Sequence, residues 1–474
     1  MKKIFIAFIP VFFFAACKKD LTGLNIDPKR PQDAPYSALF TNAQRELSNT
    51  LTSASVRLNV FRLVEQHWQE TTYTQESNYD FTTRSIPDNL WTALYVDVLK
   101  NFEEAKKKIA VEVTDVNVQK NNIAITDIMQ VYTWYYLVTT YGNIPYSEAL
   151  NIENAFPKYD DAKTIYYDLL TRLDADIAAL DPAAKSLGNA DIIYNGDVNR
   201  WKKFANTFKL KMGMTIADFD NVKAQSVVES AVAAGVFTSN ADNASFKYVV
   251  SPPNTNPVWV DLVQSDRDDF VAASTIINTM NTLKDPRLPL YFTLDAKGAF
   301  SGGEPGASSA YATFSKPAPK LTDPDYPALL LSYDETGFFL AEAAERGYNA
   351  GGSAETYYNN AITASITYWG GSEADAAAYL ANPAVNYTTA SGTTYKEKIG
   401  TQKWIALYNR GWDAWIETRR LDFPKLIPPA KAGDFPVRLK YPIKEQNVNS
   451  QNYNQAATAI GGDEVKTKLF WDKF

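Results

Sequence analysis

Cysteine and histidine are nearly missing from this chain: Cys17 and His67 are the only ones in 474 residues. A single cysteine excludes an intramolecular disulfide, and one thiol with one imidazole excludes the clustered ligands of a zinc site. Histidine chemistry would have to run through His67, whose neighbours Val64-Glu65-Gln66-His67-Trp68 read as a packed aromatic site. No HExxH, GxSxG, CxxC or glycine-rich phosphate loop occurs. Beyond residue 17 no apolar run approaches the roughly 20 residues of a membrane-spanning helix. Basic clusters are also scarce. Lys106-Lys107-Lys108 is the only basic triplet and reads as the solvated last turn of a helix, and the formal net charge is −7. Such a chain is a poor partner for nucleic acid or anionic lipid. Alternating strand patterns are missing too, at any length.

The leader is the clearest positive feature. Lys2 and Lys3 form a basic start, and Ile4 to Ala16 form an apolar stretch too short to cross about 30 Å of hydrocarbon. Phe14-Ala15-Ala16-Cys17 then places small residues before the cysteine, as a lipoprotein signal peptidase requires. The reading is a signal peptide over residues 1–16 and lipidation of Cys17. The protein is then anchored to a membrane through its N-terminal lipid without spanning it. Residues 17–35, with three prolines, read as an extended tether.

Aromatic residues are abundant: 25 Phe, 28 Tyr and 10 Trp. The excess of Tyr over Phe indicates many rings with one wet edge, suited equally to core packing and to ligand stacking. Apolar residues recur at helical spacing in two blocks, about 36–236 and 332–420. The predicted helices include Leu90–Ile109, Asn121–Tyr141, Ala162–Leu180, Val198–Phe219, Asp334–Tyr348, Ser353–Tyr368 and Tyr395–Thr418. Between the blocks lies a loop-rich insert, about 237–331, dense in Pro, Gly, Ser, Asn and aromatics. A long irregular stretch of this kind is usually a functional surface. Residues 421–474 read as a C-terminal wrap over the helices, so that 36–474 form a single domain.

Several segments, in order along the chain, resemble the SusD/RagB family of outer-membrane nutrient-binding lipoproteins, and its second SusD-like subgroup most closely. They are Asn25-Ile-Asp-Pro28, Tyr141-Gly-Asn-Ile-Pro-Tyr-Ser-Glu-Ala-Leu150, Asp285-Pro-Arg-Leu-Pro-Leu-Tyr-Phe292, Glu342-Ala-Ala-Glu-Arg-Gly347, the run Gln402 to Arg420, and Arg438-Leu-Lys-Tyr-Pro-Ile443 leading to Asn449 and Tyr453. The resemblance implies a mainly α fold, with tetratricopeptide-like helix pairs packed against an irregular loop-rich half that carries the ligand. It implies an outer-membrane, lipid-anchored protein facing the cell exterior, and Lys18-Lys19-Asp20 resembles the signals that carry such lipoproteins to the surface. It further implies a partner, a SusC-like TonB-dependent β-barrel transporter, with an oligosaccharide or a peptide as ligand. Trp404, Trp412 and Trp415, at near-helical spacing, read as core.

Sugar capture needs flat rings beside amides and carboxylates, and two polar stretches combine them. The first, Gln66 to Asp80, holds Trp68, Tyr73, Asn78, Tyr79 and Asp80. The second, Asn256 to Arg267, holds Trp259, Asp261 and Arg267, with Trp259 the first choice because the prolines before it favour a rigid turn. The expected protein is not an enzyme and needs no cofactor or metal. Two alternatives remain. One is a structural or adhesive helical-repeat surface protein. The other is a glycosidase, which needs only two suitably spaced carboxyls, from Asp266, Asp268 and Asp269 or from Glu342 and Glu345.

Overall fold

The computed structural model describes residues 34–390, 392 and 394–474. The expected leader, Cys17 and the tether up to residue 33 lie outside the described residues. Aspartates start the long helices. The Asp115 carboxylate accepts the Asn117 and Val118 N–H groups at the head of the Val116–Tyr141 helix. Asp161, Asp197 and Asp220 do the same for the helices Ala162–Ala179, Val198–Thr215 and Asn221–Ala234. Each such cap stabilises its helix by about 1 kcal/mol, because the first N–H groups otherwise lack a partner. Gly142, at φ +87°, ends the Val116–Tyr141 helix.

Sequential helices pack as pairs: Lys100–Glu112 on Val116–Tyr141, Val116–Tyr141 on Ala162–Ala179, Val198–Thr215 on Asn221–Ala234, and Tyr333–Glu345 on Ala354–Trp369. From Ala124 onward the Val116–Tyr141 helix is buried on every face, which makes it the axis of the helical half. Its rings interlock with those of the next helices, Tyr132 meeting Phe208 edge-on at 5.0 Å and Tyr136 meeting Trp412 at 4.9 Å. Trp404, Trp412 and Trp415 are core residues, 2%, 1% and 0% exposed.

A buried charge network ties the helical blocks together. Lys211 pairs with Glu335 at 2.9 Å and with Asp413, and Arg410 reaches Glu335 and Asp413 at 2.7 Å each. Arg420 bridges Glu342 and Glu417 at 2.6 Å, and Lys403 joins Glu417 at 2.8 Å. Buried charges of this kind are tolerated only when paired, so the network fixes which helices meet.

Three expectations need correction. The predicted helix Tyr395–Thr418 is two helices, Tyr395–Ala406 and Gly411–Leu421. The break lets the Gly411 backbone pack on Phe61 and Arg62, where an added Cβ would stand 2.5 Å from the Arg62 nitrogen. Strands do occur, among the described residues as three antiparallel pairs: Trp68–Glu70 with Phe270–Ala272, Ile144–Pro145 with Tyr159–Asp160, and Ala244–Phe246 with Ala328–Leu331. They are too short to print an alternation. The Lys106-Lys107-Lys108 triplet lies inside the Lys100–Glu112 helix, and Lys106 is not simply solvated, because it donates to Asp127 and Gln130 at 2.7 Å.

Candidate functional site

The first polar aromatic stretch pairs with the strand that follows the second one. Trp68, Gln69 and Glu70 oppose Ala272, Val271 and Phe270. The ladder continues as the Thr71 N–H donates to the Asp269 carbonyl at 2.9 Å, and the Thr71 hydroxyl donates to the Asp268 carbonyl at 2.6 Å. A third segment is stitched onto the same edge. The Ser309 N–H donates to the Thr71 carbonyl at 2.9 Å and the Ser308 hydroxyl reaches the same oxygen at 2.8 Å. Gln69 clamps this segment from both sides, donating to the Ala307 carbonyl and accepting the Gly306 N–H. Segments about 240 residues apart in sequence thereby share one surface.

Each ring on these segments has its own environment. Tyr73, two residues past Thr71, is 64% exposed. Trp259 is half-buried and stands in the helical segment that runs from Pro257–Trp259 directly into the π-helical turn Val260–Gln264. Asn256 fixes the start of that segment, with its side-chain oxygen accepting the Val258 N–H at 2.7 Å and its amide donating to the Tyr326 carbonyl at 2.6 Å. Val258 is fully buried beneath it. Among the described residues the Trp259 indole makes no hydrogen bond, so its polar edge is available.

Other candidates from the same stretches do structural work. Trp68 is 2% exposed, donates its indole N–H to the Tyr408 hydroxyl at 3.0 Å, and packs against Phe270. It is a core residue with no face for a ligand. Tyr79 is also buried, meeting Phe435 edge-on at 6.1 Å. Asn78 is a loop clamp, donating to the Thr74 and Gly306 carbonyls at 2.7 and 2.8 Å. Asp80 holds a local turn by accepting the Thr82 and Thr83 N–H groups and the Thr83 hydroxyl. Partial burial would raise its pKa, but these bonds outweigh it and hold the carboxyl below its ordinary value.

Charged groups interact around Asp261, two residues after Trp259. Burial pushes the Asp261 carboxyl above its usual range, offset in part by the Ala54 N–H and by the charges of Arg62 and Arg267, while Asp269 adds to the rise. Arg267 is exposed and pairs with Asp269 at 2.7 Å. Sequence reasoning missed Tyr311. It is half-buried, stands under the Lys316 ammonium at 4.8 Å from the ring centre, and is held above its ordinary pKa by burial and the neighbouring Asp268. Its stretch, Ser308-Ser309-Ala310-Tyr311, carries one ring among small residues and so prints no local signal.

Three of the carboxylates proposed for hydrolysis are engaged by other groups, Asp269 by Arg267 at 2.7 Å. Glu342 is buried between Arg420 and Arg346, and Glu345 accepts from Tyr387. His67 is fully buried against Trp404 at 5.0 Å. Burial, then the Arg62 charge, lowers its pKa to about 3, so it stays neutral and out of reach of substrate.

Comparison with known proteins adds the family. The sequence pattern of the SusD-like_2 family, "Starch-binding associating with outer membrane", matches residues 28–442. The chain belongs to this SusD-like family. No curated protein sequence matches it. Among solved structures, this SusD-like protein is similar to a chitin-binding protein, with 27% identity and a TM-score of 0.80 over 93% of this chain and all of the other. A SusD homologue from Bacteroides uniformis ATCC 8492 is 26% identical, with a TM-score of 0.78 over 92% of this chain and 99% of its own. A chitin-binding SusD homologue from Flavobacterium johnsoniae shares the fold at 24% identity and a TM-score of 0.78, over 92% and 98% of the two chains. Among the described residues no helix is long and apolar enough to cross a membrane.

Proposed function

We propose that this SusD-like protein is a non-enzymatic capture protein for neutral oligosaccharides, with β-linked N-acetylglucosamine chains as the first candidate ligand. The supporting observation is the junction at Thr71, which bonds the segment of Tyr73 to Asp268–Asp269 and to Ser308–Ser309, two residues before Tyr311, while Trp259, Asp261 and Arg267 lie just upstream of Asp268 in the chain. Flat rings stack on the apolar faces of pyranoses, and flanking carboxylates and guanidinium groups bond the hydroxyls. Relatives of this fold that carry the description chitin-binding support the same ligand class.

Capture would take place on a lipid anchor at Cys17, outside the outer membrane, with delivery to a SusC-like TonB-dependent barrel. The family's association with the outer membrane supports this reading. Isothermal titration of the full chain with chitooligosaccharide, maltooligosaccharide and peptide probes tests the ligand. Co-purification with the barrel after membrane solubilisation tests the partner. Binding of peptides alone, or of nothing, would overturn the capture of sugars.

A further inference from the structure

A second cleft, of ≈ 780 Å³, opens between the turn at 189–195, the start of the Val198–Thr215 helix and the segment 240–247. It shares no residue with the Trp259 face. Its central group is Arg200, which is held in place before any ligand arrives. The guanidinium lies 4.2 Å above the Tyr194 ring and donates one N–H to the Ala241 carbonyl at 3.1 Å. Tyr194 is itself fixed, with its hydroxyl on the Asp242 carbonyl at 2.8 Å and its ring edge-on to Trp201 at 5.3 Å.

No carboxylate in the cleft answers Arg200. Asp191, which lines it, is 1% exposed and already accepts from the Gln44 amide, the Ile193, Tyr194 and Gly196 N–H groups and the Trp201 indole. Asp242 is paired with Lys203 at 2.7 Å. Among the described residues Lys247, exposed on the same wall, has no ion-pair partner, and the side chains of Asn189, Asn195 and Ser245 form no hydrogen bond. Two cations without counter-charges therefore stand beside unengaged amides and a hydroxyl, in a cavity of oligosaccharide size. Arg has five N–H donors in a rigid fork that matches a planar or tetrahedral oxyanion, and amides bond sugar hydroxyls.

We infer that this cleft is a second binding site, selective for a saccharide that carries a carboxylate or sulfate group, with Arg200 receiving the anion and Lys247 assisting. The inference does not depend on the ligand assigned to the Trp259 face.

The test is calorimetric titration of the full chain with an oligogalacturonide, a sulfated galactan oligosaccharide and a neutral chitooligosaccharide. One acidic probe should bind, more weakly as salt rises, and the choice between the two distinguishes carboxylate from sulfate. Arg200→Gln should weaken that binding roughly tenfold or more, and Lys247→Gln by a smaller factor. Trp259→Ala should leave it unchanged. If Arg200→Gln does not fold, Lys247→Gln and Asn195→Ala at exposed positions carry the test. The inference falls if neither acidic probe binds, if these variants leave affinity unchanged, or if they abolish neutral-sugar binding instead.

Discussion

The Trp68 indole donates a hydrogen bond to the Tyr408 hydroxyl at 3.0 Å, joining positions 340 residues apart. Tyr408 in turn stacks on Tyr291, their ring centres 4.3 Å apart and nearly parallel. Trp68 thus anchors the strand on which the candidate ligand face is built, although it does not belong to that face. Trp68→Ala should cost about 3 to 5 kcal/mol of stability, the usual range for removing a large buried ring. Thermal unfolding measures this, and a variant with unchanged melting temperature would contradict the core assignment.

The exposed rings should respond in the opposite way. Tyr73 is 64% exposed, so Tyr73→Ala should change stability by less than about 0.5 kcal/mol. If it stacks on sugar, the loss of affinity should be roughly tenfold, and Trp259→Ala should lose at least as much. Titration with chitooligosaccharide on both variants, together with their melting curves, checks the pair. Full affinity in both would remove this face from the binding site.

Glu65 gives a pH signature. It is fully buried, with one oxygen accepting the Thr418 hydroxyl at 2.7 Å and the other without a partner. Burial raises its pKa from 4.5 to about 8, against the lowering effects of Thr418 and Arg419. A pKa raised on folding means the native state holds the proton more tightly than the unfolded chain. The Glu65 contribution is therefore complete below the unfolded value and is lost as pH rises through about 8. Glu65→Gln cannot ionise, so its melting temperature should exceed that of the parent increasingly with alkalinity, and the gap should be smallest in acid. Parallel pH profiles for the two proteins would show that Glu65 does not titrate in this way.

Gly306 makes a packing prediction. Its φ is +77°, and an added Cβ would stand 2.5 Å from both the Asn78 amide oxygen and the Pro429 Cβ. Gly306→Ala should push the 302–309 segment off Gln69 and Asn78 while leaving the helical half intact. Hydrogen exchange should quicken at Gly306 and Ser309, whose N–H groups bond Gln69 and Thr71. Unchanged protection there would show that the segment accommodates the methyl group.

Anchoring is testable separately from binding. Cys17→Ser should abolish fatty-acid labelling and release the protein from the membrane fraction. Retention of both in the variant would refute lipidation at that position.

Helices were legible because their determinants are local. Apolar spacing marks the helices at Asn121–Tyr141 and Ala162–Leu180, and the first of them in fact begins five residues earlier, at Val116 after its Asp115 cap. The break at Leu407–Arg410 was not legible, since it depends on Gly411 meeting the Phe61–Arg62 backbone and on Arg410 turning to Asp413 and Glu335. The short strands escaped notice because pairs of two to four residues carry no period.

The sequence by itself determined the helical class and, through ordered motifs spread along its length, the family. It also marked the polar aromatic stretch 66–80, whose strand the fold pairs with Phe270–Ala272. Only the tertiary structure decided which rings on that stretch face solvent. Trp68 and Tyr73 lie five residues apart in the same polar, aromatic-rich run, yet one is core and the other surface, because Tyr408 arrives from far along the chain to cover the first. The segment of Tyr311 is brought to Thr71 and Gln69 by long-range bonds of Ser308, Ser309, Ala307 and Gly306. A ring's exposure depends on what packs over it, and that neighbour is not encoded beside it.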